Sequence, residues 1–144
     1  MSDNEAINEN KTKQDSENNN SEKMHNYKYG DIIRFGTING LTIEWQVINV
    51  RDNKVLILSR KGLEARVYNS GSEPVAWETS TIRRYLNSEF LSSCFDAREQ
   101  GKICDSEIRN TGKNNTIDKL FLLSLEEAES MFNSDEERKC AVSE

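Results

Sequence analysis

Two stretches set most of what this chain can become. In the first, Trp77 to Phe90, the apolar residues Ile82, Tyr85, Leu86 and Phe90 fall three or four positions apart. That spacing lays them along one face of an α-helix. Thr79 or Ser80 is placed to cap its start. The spacing predicts a helix from about Thr79 to Asn87, a break near Asn87 and Ser88, and further buried contact from Leu91 and Phe95. In the second stretch, Leu120, Phe121, Leu122 and Leu123 form a short apolar run that reads as a buried strand. Ser124-Leu-Glu-Glu127 follows it as a capping box, in which the serine hydroxyl and the glutamate carboxylate each satisfy an open backbone N–H. It predicts a helix through about Phe132, and Ser134 to Glu137 predicts another turn. Each striped helix needs a partner to cover its apolar face.

The partner is legible upstream. Asp31 to Gly36 reads as a short strand and is followed by Asn39-Gly40, the strongest two-residue hairpin signal, because both types tolerate positive φ. Ile43, Trp45 and Val47 then alternate with Glu44 and Gln46, the period of a strand with one wet face. Arg51 to Lys54 makes the next turn. Val55, Leu56, Ile57 and Leu58 form a continuous run that predicts a strand covered on both faces. Three strands joined by tight turns make an antiparallel meander. Residues 60–76, with Gly62, Asn69, Gly71 and Pro74, read as loops. Residues 96–115 read as a polar region anchored by Ile103 and Ile108, with 110–115 as an exposed loop.

Residues 1–26 hold three lysines against six acidic residues, and only Ile7 and Met24 are sizeable apolar groups. Such a segment buries too little to offset the entropy of ordering it, so it is expected to be a disordered acidic tail before a single α+β domain over 27–144. The whole chain has 144 residues and a net charge of −6, which argues against a nucleic-acid partner, since phosphate binding needs a basic face. No apolar run approaches the ~20 residues of a membrane span. The polar start gives no secretory signal, so a cytoplasmic product with no membrane partner is expected. Cys94, Cys104 and Cys140 form no Cys-x-x-Cys pair and are odd in number, which argues against a disulfide scaffold or a zinc ribbon.

The single histidine, His25, lies in the tail. That removes Ser-His-Asp and Cys-His catalysis and histidine-based metal sites. The glycines are scattered at turns and form neither a phosphate loop nor a dinucleotide fingerprint. No cofactor and no metal are expected. Asp105 and Glu107 could face one side of an extended loop, but a solvated loop explains them as well. Three residues remain as candidates for ligand binding: Trp77, Arg83 and Asp118. Each also has a structural reading. Trp77 can be core. Arg83 can lie over an aromatic ring or pair with a buried carboxylate. Asp118 can form an ion pair or close a turn.

The residues from about Gly30 to Arg138 resemble a widespread family of uncharacterised bacterial domains, common in Firmicutes. Trp77, Ser80, Ile82, Arg83, Tyr85, Leu86, Asn87 and Phe90 match one signature of that family. Thr116, Asp118, Lys119, Leu120, Phe121, Leu122, Leu123, Ser124, Glu127 and Ala128 match a second, and Gly30 to Gly36 match its opening. The family brings no established activity. Its members continue into a Trp-Leu-Arg-Ser-Pro-like segment and a closing Gly-Val-Arg-Pro-Ala strand, an end similar to C-type-lectin-like and sulfatase-modifying-factor-like domains. Neither segment is in this sequence. The resemblance therefore implies a domain truncated at its C-terminal side, an incomplete C-type-lectin-like domain with an open sheet edge through which copies could associate.

The expected architecture is α+β, an antiparallel β-meander packed by two or more short helices. The expected function is a non-enzymatic binding module for an unknown protein or glycan. An enzyme using carboxylates and Arg83 is the alternative, and a remnant without separate activity is the third reading.

Overall fold

Asn39 and Gly40 turn the chain at φ 50° and 76°, and Asp52 and Asn53 do so at 50° and 58°. Paired positive φ values match the right-handed twist of flanking strands. The two turns join β1 (Ile32–Ile38), β2 (Leu41–Arg51) and β3 (Lys54–Ser59) into an antiparallel sheet of order β1-β2-β3. The computed structural model describes residues 26–142. The expected acidic tail therefore lies, but for Asn26, outside the described residues.

The alternation in β2 does what its period requires: Ile43, Trp45 and Val47 are buried, with Glu44 and Gln46 between them less so. A bulge between Val47 and Asn49 adds Ile48 to the same buried set. In β3, Val55 to Ser59 are all half-buried. Its two faces are thus covered only in part, less than its unbroken apolar run suggests.

The helical segment continues through Asn87 and Ser88 without the expected break. A 3₁₀ turn (Trp77–Thr79) leads into α1 (Thr81–Tyr85), a π turn (Leu86–Phe90) and α2 (Leu91–Cys94). The helix widens where Leu91 N–H reaches the carbonyl of Leu86, five residues back. Phe90, Cys94 and Phe95 meet Ile43 and Trp45 in the core. The Phe95 ring lies 5.3 Å from Phe35 and 6.2 Å from Trp45, centroid to centroid. Gly36, at φ 72°, makes room for it: a Cβ there would stand 2.5 Å from Phe95 Cε1.

In the second half, residues 110–115 lie in the expected loop, and the polar region before them holds two elements. Asp96 and Glu99 form a capping box that opens α3 (Ala97–Lys102). Residues 106–108 form β4 (Ser106–Ile108), paired antiparallel with β5 (Thr116–Asp118) across the loop that includes 110–115. The run Leu120–Leu123 is not a strand, and Leu122 is 49 % exposed. The strand lies just before it, and an asparagine side chain takes up the backbone groups at its start, as described below. The capping box at Ser124 and Glu127 opens α4 (Leu125–Ser130), which ends two residues earlier than expected, with Met131 as its C-cap. Residues 135–138 form a turn rather than a further helix. The protein is α+β: a three-strand antiparallel meander, a two-strand sheet and short helices. No helix among the described residues is long and apolar enough to cross a membrane.

Candidate functional site

The three candidates Trp77, Arg83 and Asp118 meet. Trp77 Nε1 donates to Asp118 Oδ2 at 2.9 Å, and Arg83 Nε donates to Asp118 Oδ1 at 2.8 Å. Thr116 Oγ1 adds a third donor to Oδ2 at 2.7 Å. The second arm of Arg83 is also used, since Nη1 donates to the Glu78 carbonyl at 2.9 Å. Ser80 sits beneath this group and is 2 % exposed. Its hydroxyl accepts from Arg83 N–H and donates to the Trp77 carbonyl, locking the 3₁₀ turn onto α1. The Asp118 side chain is 2 % exposed and that of Arg83 29 %. A carboxylate taken out of water is stable only when it is paired and hydrogen-bonded, and here it is both.

Asn87 joins the same two sequence runs four residues along the helix. Its Oδ1 accepts from the backbone N–H groups of Lys119 and Leu120, and its Nδ2 donates to the carbonyls of Leu120 and Arg83. One amide side chain thus replaces the neighbouring strand that Lys119 and Leu120 would otherwise need. Replacing Asn87 with alanine is expected to cost about 2–3 kcal/mol, because it strands several backbone groups at once. Urea melts of the two proteins check this, and a loss near zero would show that water substitutes for the amide.

Asp105 and Glu107 have separate partners. Asp105 lies 3.3 Å from Lys119 Nζ, and Glu107 accepts from Asn115 at the β4–β5 loop. Among the described residues no group of three or more His, Cys, Asp or Glu is arranged to hold a metal ion. Cys94 is buried, and burial pushes its thiol above the ordinary value, whereas Cys104 and Cys140 are exposed. In the folded chain Cys104 and Cys140 should react promptly with a maleimide, and Cys94 only after denaturation. Intact-protein mass checks this, and a prompt third adduct would mean that α2 opens freely.

Two cavities flank this block. Trp77 lines a groove of about 990 Å³, whose walls include Leu56, Tyr68, β4, the β4–β5 loop and 121–127. Arg83 and Asp118 do not line it. The groove bears exposed apolar groups: Tyr68 at 43 %, Leu122 at 49 % and Leu125 at 76 %. A smaller pocket of about 270 Å³ shares the lining residues 121–123 with the groove and is also lined by Trp45, Ile57, Ile82, Leu86 and Phe90. At its mouth Arg66 lies 3.4 Å from the Tyr85 ring centroid, and both Arg66 Nε and Tyr85 Oη donate to Glu64 Oε2. The Arg66 bond holds the Glu64 carboxyl below the usual carboxylate range, while desolvation raises the Tyr85 hydroxyl.

The sequence singles out the trio as residue types. That Trp77 and Arg83 share one carboxylate is a long-range fact the spacing does not carry. The role of Asn87 depends on a contact more than thirty residues away, although its place in both the helix and the first signature is a signal. Residues 52–143 match the family described as a domain of unknown function (DUF6273). The match begins at the second turn, so the opening Gly30 to Gly36 falls outside it. No curated protein and no solved structure matches the chain.

Proposed function

For a chain that belongs to the DUF6273 family, a family of domains of unknown function, we propose a non-enzymatic role: a single domain that binds a protein or glycan surface through the groove beside Trp77. The observation that carries this reading is a division of labour. Trp77 Nε1, Arg83 Nε and Thr116 Oγ1 all donate to Asp118, so this carboxylate acts as a strut between the helix and β5. The groove in front of Trp77 instead collects exposed Tyr68, Leu122 and Leu125, the apolar surface that marks interaction sites. The resemblance to bacterial domains with a C-type-lectin-like end supports binding by analogy only. The cysteine usage fits a reducing cytoplasm, and the outer edge of β1 would allow self-association.

The test uses arrays of immobilised peptides and of glycans probed with the purified full chain. Binding that disappears in Leu125→Glu, with the melt unchanged, supports the groove as the ligand face. A folded chain that binds nothing on either array, or that binds equally well as Leu125→Glu, would overturn the reading.

A further inference from the structure

We propose that the groove receives an extended strand donated by a different protein, seated between β3 and residues 121–123, an inference that rests on the binding-module reading and names the class of partner. Phe121, Leu122 and Leu123 form neither helix nor strand, and their backbone N–H and C=O groups take no hydrogen bond from any described residue. β3 is paired with β2 along one edge and, among the described residues, has no strand on the other. These two open edges share both cavities: Leu56 and 121–123 line the larger, while Ile57, Leu58 and 121–123 line the smaller.

An inserted strand would meet hydrogen-bonding groups on both sides at once. Its successive side chains point to opposite faces, so alternate ones would enter the two cavities, both lined with leucines. A helix satisfies its own backbone and would leave these edges open. A glycan would satisfy the edges but leave the leucine lining wet. Charge fixes the partner further. At the loop end of the groove stand Arg109 and Lys113, neither in an ion pair among the described residues, beside Glu107, whose carboxylate accepts from Asn115, and at the α4 end stand Glu126 and Glu127. The donated strand is therefore apolar at alternate positions and acidic at the end lying over Arg109 and Lys113.

A random peptide library displayed on phage, selected against the purified full chain, tests this. Enriched peptides should alternate apolar and polar residues and carry Asp or Glu at one end. A synthetic copy should slow amide exchange at 121–123 and 55–58 by about tenfold or more, and N-methylation of its alternate amides should abolish binding. Peptides that bind the groove without alternation, or that tolerate N-methylation, would remove the strand insertion while leaving the binding module standing. A selection that yields no binder of the folded chain would remove both. Concentration-dependent dimerisation that protects the same amides and excludes the peptide would also overturn the proposal, by giving the slot to a second copy.

Discussion

Asp118→Ala is expected to destabilise the fold by about 3–5 kcal/mol, the cost of leaving a buried ion pair half-made. The substitution strands three donors at once, Trp77 Nε1, Arg83 Nε and Thr116 Oγ1, around a site that was 2 % exposed. The urea midpoint should fall at unchanged m value, since the surface exposed on unfolding barely changes. Arg83→Ala should also be costly, because it leaves the carboxylate buried with only neutral donors. The decisive variant is the double replacement, Arg83→Met with Asp118→Leu. With no uncompensated charge left, it should be less damaging than the two single changes added together, by at least about 1 kcal/mol. Strict additivity would show that the two groups do not act through each other.

Phe95→Ala is the other large effect, expected at about 3–5 kcal/mol. Phe95 is 2 % exposed and is the residue on which Phe35, Trp45 and Phe90 converge, with centroid distances of 5.3, 6.2 and 6.4 Å. Its ring also fills the space that Gly36 leaves open, so no neighbour is placed to collapse into the void. A domain of this size has only about 5–15 kcal/mol to lose, so the variant is best measured at low temperature by urea titration. A loss below about 1 kcal/mol would mean that the core repacks, and near-ultraviolet circular dichroism would show the altered aromatic setting.

What could be read in the sequence was local. The Asn39-Gly40 turn, the alternation of Ile43, Trp45 and Val47, and the capping box at Ser124 each declare themselves within a few residues. Asp96 and Glu99 carry the same capping signal, but the polar residues around them give α3 no apolar stripe to announce it. The run Leu120–Leu123 misleads because a strand is a relation between two segments. Whether Lys119 and Leu120 pair with a strand or with Asn87, more than thirty residues away, is decided by the tertiary fold. The same holds for the candidate site. The chemistry of Arg83 points to a carboxylate, but nothing near it in sequence names Asp118 or adds Trp77 to the same oxygen pair.

The π turn carries a consequence for how this domain tolerates change in length. Ile82, Leu86, Phe90 and Cys94 recur every fourth residue, and in an unbroken α-helix such a row would wander by about 40° per step away from the sheet. The wide turn at Leu86–Phe90 winds that drift back, which is why Ile82, Phe90 and Cys94 are all buried. Deleting one residue there would not merely shorten the rod. It would let the segment close into an unbroken α-helix with Phe90 seven residues after Ile82, within about 20° of the same face, whereas one further residue inserted there would swing Phe90 and Cys94 about 100° around the axis and off the sheet.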